Sequence, residues 1–381
     1  MLRALSPSSL VVDFALTGYV VSDQATTYEG ADFGHLGRGT GAVARGYQCA
    51  RAQVVGDKDV FVLGGFLHWG GTGEKHCLQE LVALREAQLG RPRRRVECSE
   101  ARLVETEGRL RALEADLAKL AARGKSLARR ERLLRQREER RQEIEALQAG
   151  REELAGENAA NPNPGRIILR LDGAFGNADD VAWLYEQGYS VVARVHAHRV
   201  AEGSRKEDGL RFEKVSKDLF IAEARRRQFG QCPYPLRLFL CRQWWGEAHP
   251  ERFSALVVTP DLAAKAWPVP RVGVFDNGRQ VMEAGIKEGK GIFASRHLPR
   301  RHQAGIALYQ ELVLFAQNLI RWFRRQFVAG SVLAAASIKE LVGIGANSRA
   351  QLVLGGDAIL LSFAAASPWG GITLSLRPRI S

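Results

Sequence analysis

From Glu100 to Glu157 the chain is built almost entirely from Arg, Glu, Leu, Ala and Gln. Leu103, Leu110 and Leu117 recur every seven residues, with Leu113, Leu120, Leu127 and Leu134 interleaved. An a/d heptad of this length demands long α-helix. It also demands a partner, because a lone heptad helix leaves its apolar stripe in water. Two partners meet that demand. The helix bends at Gly124 into an antiparallel hairpin, or it runs on and pairs with a second molecule. Asn158 to Gly165, with Pro162 and Pro164, ends the segment.

On either side of this segment the periodicity changes. Leu10-Val11-Val12 is a short apolar run leading into Asp13. Tyr47 to Val55 and Asp59 to His68 read as strands, and their short glycine-bearing connections suit antiparallel neighbours. Glu74 to Gln88 has helical apolar spacing. Beyond the heptads, Ile167 to Leu171 is an apolar strand ending at Asp172. Ala178 to Gln187 is a helix with Gly188 as its C-cap, and Tyr189 to Val195 is the next strand. Strand, helix and strand in this length form a βαβ unit with parallel pairing. Residues 203–274 are β-rich, through Leu210 to Val215, Leu236 to Cys241 and Phe253 to Val258. Gln280 to Lys290 and Gln303 to Phe327 are helices, and the tail carries a helix at Ser337 to Val342 and two strands.

The expected fold class is therefore α/β: a ribonuclease-H-like mixed sheet, three antiparallel strands and a helix followed by the βαβ unit. Residues 1–99 form the first half of the catalytic domain, 100–160 a helical coiled-coil insertion, and 161–202 the second half of the sheet. Residues 203–274 are a β-rich insertion, 275–330 carry the glutamate helix and the long helix after it, and 331–381 are a C-terminal tail.

A formal net charge of +13, mostly arginine, points to a polyanionic partner, with nucleic acid ahead of a membrane surface. The five cysteines are odd in number and scattered, without a C-x-x-C pair, which argues against a disulfide framework and against a zinc site. The N-terminus lacks a signal-peptide core, and no uninterrupted apolar run reaches membrane-spanning length. A cytoplasmic protein with no membrane partner is expected.

Asp13 and Asp172 both stand at the ends of apolar strands. In the expected fold those strands are neighbours in the sheet. Two close carboxylates repel unless cations neutralise them, and oxygen-only ligands favour magnesium or manganese. A third acid, Glu283, lies in a helix that places Arg279, Glu283, Lys287 and Lys290 on one face. One acid among three cations suits a metal ligand whose neighbours grip phosphates; an exposed helix with i,i+4 ion pairs is the plainer alternative.

The spacing of Arg279, Glu283 and Lys290 resembles the Tyr-Arg-Glu-Lys signature of DDE transposases of bacterial insertion sequences. Arg170-Leu171-Asp172-Gly173-Ala174-Phe175-Gly176 resembles the segment around their second aspartate. Asp13-Phe14-Ala15-Leu16-Thr17-Gly18 resembles the first-aspartate segment. Leu67-His68-Trp69-Gly70-Gly71-Thr72 is similar to the turn after their third strand, and Gln303 to Phe327 to the helix after the glutamate. The resemblance implies that Asp13, Asp172 and Glu283 bind two Mg²⁺ (or Mn²⁺) ions. It implies that Arg279 and Lys290, with Lys287 beside them, contact DNA. The reaction would be nicking at a transposon end and strand transfer into target DNA, in an active complex that is a homodimer, in a bacterial cytoplasm and at the nucleoid when active. The chain departs from the pattern in three ways. Asp276 occupies the tyrosine position. The chain starts about a dozen residues before Asp13, where relatives carry an end-recognising domain, so an inactive, truncated DNA-binding remnant is the alternative. Asp23 rivals Asp13 as first acid.

Trp244 and Trp245, in the β-rich stretch, suit either core packing or stacking on an unpaired base. The arginine runs Arg91 to Arg95, Arg225 to Arg227 and Arg321 to Arg325 are either DNA tracks or solvated helix faces. The loop bearing Gly37, Gly39 and Gly41 lacks the lysine and hydroxyl of a phosphate-binding loop.

Overall fold

The computed structural model describes residues 10–22, 24, 26–36, 43–56, 60–123, 127–195, 198–225, 228–246, 250–331, 333–355, 358–364, 366–369 and 374–376. Asp23, Gly124 and the loop with Gly37, Gly39 and Gly41 lie outside the described residues, as do Arg226 and Arg227.

Along the chain, β1 (Leu10–Val20), β2 (Asp32–Gly34), β3 (Ala44–Val55) and β4 (Val60–Trp69) precede α1 (Glu74–Leu89). The heptad segment forms α2 (Val96–Arg123) and α3 (Leu127–Ala159). Then come β5 (Ile167–Leu171), α4 (Ala178–Glu186), β6 (Ser190–Arg194), α5 (His198–Arg205), β7 (Glu213–Lys214), β8 (Leu219–Glu223), β9 (Arg237–Gln243) and β10 (Arg252–Val258). The remainder is α6 (Val269–Asn277), α7 (Gln280–Gly291), α8 (Gln303–Phe323), α9 (Ile338–Asn347), β11 (Ala350–Gly355), β12 (Ala358–Phe363) and β13 (Leu374–Leu376). The architecture is mixed α/β, a mixed sheet flanked by helical segments. It divides into two compact units, Met1–Val12 with Arg85–Asn277, and Asp13–Leu84 with Gly278–Ser381, the boundaries falling inside β1 and inside α1.

In the first unit the opening residues of β1 lie beside β5, where the Leu10 amide donates to the Arg166 carbonyl at 3.0 Å. The sheet continues β5, β6, β10, β9, β8, β7. β5 and β6 are parallel, with Ile168 opposite Ser190 and Leu171 opposite Ala193, and α4 makes the crossover between them. Gly188, with φ of +92°, closes that helix: a Cβ there would come within 2.1 Å of the Arg93 carbonyl oxygen. β10 is antiparallel to both β6 and β9, so the strands of 203–274 extend the same sheet. Ile168, Val192, Phe239, Leu256, Trp267 and Val272 pack together as its core. Three elements here escape the sequence patterns above: α5, β8 and α6.

The α2 and α3 helices pair with each other in this unit. Glu157 near the end of α3 meets Arg94 just before α2, and Arg141 meets Glu114 farther along, so the two helices run antiparallel. The hairpin partner is thus internal to the chain. Of the heptad leucines, Leu103 is buried and Leu110, Leu113, Leu117, Leu120 and Leu134 are half-buried, while Leu127 is exposed. A two-helix hairpin covers its stripe only from one side, which accounts for the partial burial.

The base of the hairpin is fixed by charge. Arg94, almost fully buried, donates to both Glu86 oxygens at 2.8 and 3.1 Å, to Glu157 at 2.6 Å and to the Gln187 carbonyl at 3.0 Å. The Tyr189 hydroxyl donates to Glu86 at 2.7 Å. Burial works to raise the Glu86 pKa, but the hydrogen bonds from Arg94 and Tyr189 outweigh it and hold the carboxyl below its ordinary value.

In the second unit β3 lies between β1 and β4 and also pairs β2. The β3–β4 ladder is antiparallel, with a register shift between Ala52 and Gln53. α8 packs on β4 through Asn318, whose side chain accepts from the Val62 amide at 2.8 Å and donates to the Val62 carbonyl at 2.6 Å. Gln317, fully buried, donates to the Gly285 carbonyl at 2.8 Å and accepts from Arg51 at 2.7 Å. Gly289 on α7 leaves room for that amide, since a Cβ there would lie 3.3 Å from it. α8 passes into a π-helical turn at Arg324–Val328. Val328, Leu333, Leu341 and Trp369 form a separate small core, against which Phe363 of β12 packs. Among the described residues no helix is long and apolar enough to cross a membrane.

Candidate active site

Helix α7 buries Met282, Gly285 and Gly289 and turns Glu283 and Lys287 outward. Glu283, in its first turn, has a side chain 52 % exposed, a position where the helix dipole favours a carboxylate. With Ile286, Lys287 and Lys290 it forms one wall of a cleft of about 580 Å³. Leu16, Thr17 and Gly18 of β1, His35, Leu36 and Gln48 line the rest. The cleft lies wholly within the second unit.

The two outer members of the α7 pattern are tied into the fold. Arg279 is buried at the N-cap position and donates to Glu283 at 3.3 Å. Lys290 donates to the Gly18 carbonyl at 2.8 Å and lies over the Tyr19 ring at 4.8 Å. Arg279 therefore orients the carboxylate, Lys290 joins α7 to β1, and Lys287 is exposed to solvent. Tyr19 in turn meets Ser295 at 3.2 Å, and burial drives its pKa well upward.

Asp13 sits on β1 and is fully buried; its Oδ2 accepts from Gln53 at 3.0 Å. A buried carboxylate needs such partners to offset its desolvation. Asp13 and Glu283 belong to the second unit. Asp172 belongs to the first, directly after β5, where its Oδ1 accepts from the Ala174 amide at 3.0 Å and caps a 3-10 turn at Gly173–Phe175. The capping role weighed from the sequence is thus present, and it engages one carboxylate oxygen in that bond.

Asp276, at the tyrosine position of the signature, is buried at the end of α6 and accepts from Arg194 at 2.9 Å. Trp244 and Trp245 are 42 % and 43 % exposed, so the core-packing reading of this pair does not hold. Both follow the last residue of β9; the Trp244 amide donates to the Asp218 carbonyl at 3.0 Å, and Arg252 lies over the Trp245 ring at 5.4 Å.

One cluster that can hold a single metal ion is present among the described residues, and reading the sequence for cysteines missed it. His68, near the end of β4, meets His76 and Glu80 of α1, their donor atoms all within 4.8 Å of one another. The signal was available as the i,i+4 pair His76 and Glu80 in an obvious helix, eight residues after a histidine. No cysteine belongs to it: all five cysteines are buried and unpaired by disulfides, and burial pushes the Cys77 thiol up to about 12. Burial lowers the His68 pKa while Glu80 opposes the shift.

The chain was compared with models of known protein families and with curated proteins. Neither comparison finds a match.

Proposed function

We propose that the chain is the catalytic part of a DDE-type transposase with a ribonuclease-H-like sheet, which nicks DNA at transposon ends and transfers the freed strand into target DNA. One observation supports this reading above others. Glu283, Lys287 and Lys290 line a single cleft, with Arg279 bonded to Glu283, so the Arg-Glu-Lys spacing of the transposase signature corresponds to one acid held among cations.

Asp13, Asp172 and Glu283 are the carboxylates that would hold two Mg²⁺ or Mn²⁺ ions. The donor chemistry fits, since all three offer oxygen ligands alone, which these hard cations prefer. Such ions, when bound, stabilise the attacking and leaving oxygens of an in-line phosphoryl transfer. The chain's own residues have the remaining tasks. Arg279 fixes the rotamer of Glu283. Gln53 orients Asp13. Lys287 offers an exposed ammonium to a DNA phosphate. Trp244 and Trp245 present exposed rings on which an unpaired base can stack.

The test uses the DNA flanking the reading frame: terminal inverted repeats supply the substrate, and the purified protein is assayed for nicking and strand transfer with Mg²⁺. Cleavage at the repeat end, lost alike in Asp13→Asn, Asp172→Asn and Glu283→Gln, is expected. Cleavage unaffected by Asp172→Asn ends the proposal.

A further inference from the structure

The His68, His76 and Glu80 cluster stands apart from the carboxylates above, both in its residues and in its chemistry. His68 Nε2 lies 2.7 Å from Glu80 Oε2, and His76 Nε2 lies 3.6 Å from Glu80 Oε1. The two imidazoles meet edge to face, with centroids 5.6 Å apart. Ligands of a tetrahedral ion with bonds of about 2.0 Å stand roughly 3.3 Å from one another, and the contacts of the two imidazoles with the Glu80 carboxylate, 2.7 and 3.6 Å, lie near that value. The three donor atoms lie within 4.8 Å of one another, so a modest closure of the side chains would seat one ion among them.

A second observation concerns unmet bonding. His68 Nε2 and Glu80 Oε2 are both buried and lie 2.7 Å apart, and neither has any other polar partner among the described residues. Two buried polar atoms left this way cost free energy together, and a cation between them removes both costs.

We infer that His68, His76 and Glu80 form a mononuclear site for a zinc-class divalent ion. Two imidazole nitrogens and one carboxylate are a borderline donor set, which suits Zn²⁺ or Co²⁺ and disfavours Mg²⁺ and Ca²⁺. His76 is 63 % exposed, so the fourth position opens to water. The site has a structural purpose. His68 is held by the β3–β4 ladder opposite Gln48, whereas His76 and Glu80 ride on the first two turns of α1. Between them runs Trp69-Gly70-Gly71-Thr72-Gly73, a turn with three glycines. A metal bridge closes this turn and pins the start of α1 to the end of β4, restraining backbone that glycine leaves free.

The experiment uses the full chain, stripped with a chelator and freed of any affinity tag. Titration with ZnCl₂ and with CoCl₂ is followed by calorimetry, by the visible absorption of Co²⁺ and by thermal melting, in a large excess of Mg²⁺. One equivalent is expected to bind, with a tetrahedral Co²⁺ spectrum and a raised melting temperature, undiminished by Mg²⁺. His76→Ala, an exposed position, is expected to melt like the metal-free wild type and to bind Zn²⁺ at least roughly 100-fold more weakly. Glu80→Gln gives the same loss from the buried side. Wild-type protein that ignores Zn²⁺, Zn²⁺ displaced by Mg²⁺, or full affinity retained in His76→Ala each overturns the inference. Because the readouts are binding and melting, none depends on DNA cleavage.

Discussion

The base of the α2–α3 hairpin and the α7 cleft are both rich in charge, yet they use it in opposite ways. At the hairpin base Arg94 gives hydrogen bonds to Glu86, Glu157 and a carbonyl, and Arg95 meets Asp261 and two more carbonyls. Those cations are consumed inside the fold. At the α7 cleft Lys290 is turned to the Gly18 carbonyl and Arg279, behind the wall, bonds to Glu283, while Lys287 faces solvent. The difference teaches that a net charge of +13 is a poor map of which cations a partner could reach. Arginine that reads as a basic run in the sequence is here largely a structural residue, and the charge left for a partner must be found residue by residue.

The sharpest break between the two regions is chemical. Glu283→Gln preserves the shape of the cleft and, on the proposed function, removes one negative oxygen ligand. Catalysis is expected to fall a thousandfold or more, about 4 kcal/mol of lost transition-state stabilisation, with the melting temperature unmoved. A nicking assay with Mg²⁺ on the transposon-end substrate reads the first, and a melt reads the second. A variant that loses both would make Glu283 structural and erase the contrast.

Arg94→Leu is the converse case. It removes the shortest cation contact of Glu86, only 10 % exposed, leaving Arg91 at 3.3 Å and Arg85 at 3.9 Å, and it breaks the pair with Glu157 as well. Loss of one member of a buried pair costs about 3–5 kcal/mol. Denaturant unfolding of the variant should show that loss; a change below about 1 kcal/mol would mean the pair is balanced by its own desolvation.

What the sequence made legible follows the same division. The heptads, β3, β4, α1, α7, α8 and the βαβ unit were readable because each has a periodic apolar pattern long enough to dominate its neighbours. Whether the heptads close on themselves or on a second chain was not, since Leu110 and Leu117 would face either partner equally. The internal answer is written in Arg94, Glu157 and Arg141, whose pairings depend on contacts 27 to 63 residues apart. β8, Leu219–Glu223, is five residues without clear alternation, and α5 is a short polar helix, so neither raised a signal. At the site, the i,i+4 and i,i+11 spacing of α7 was visible, but not that Arg279 would be buried beneath Glu283. His68 and Glu80 went unpaired because the histidine sits in a strand and the acid in a helix; only the turn between them brings the two together.

The pH dependence of the hairpin base sharpens the comparison further. Glu86 is held below its ordinary value of 4.5 in the folded chain. A depressed carboxyl contributes stability at pH above that ordinary value, and the contribution is lost as pH falls through the folded-state value, because the unfolded chain then takes up the proton more readily. Melting curves from pH 7 down to about pH 3 should show the wild type losing stability at the acid end, and Glu86→Gln, less stable at pH 7, losing less of it. Parallel profiles for the two proteins would remove Glu86 as the acid-sensitive group.

The smallest effect tests the comparison most directly, by asking two exposed cations the same question. Lys287, on the cleft wall, faces solvent; Arg102 on α2 is 41 % exposed but bonded to Glu186 at 3.0 Å. If cations count toward DNA only when the fold leaves them unspent, Lys287→Ala should lower the slope of log affinity against log salt by about 0.9, the share of one phosphate contact, and weaken binding alike on all sequences. Arg102→Ala should leave that slope where it was. Fluorescence anisotropy with duplex DNA between roughly 50 and 200 mM salt resolves the difference. Equal slopes for the two variants would mean that affinity follows total charge after all, and that the inward and outward uses of charge in this chain make no difference to its partner.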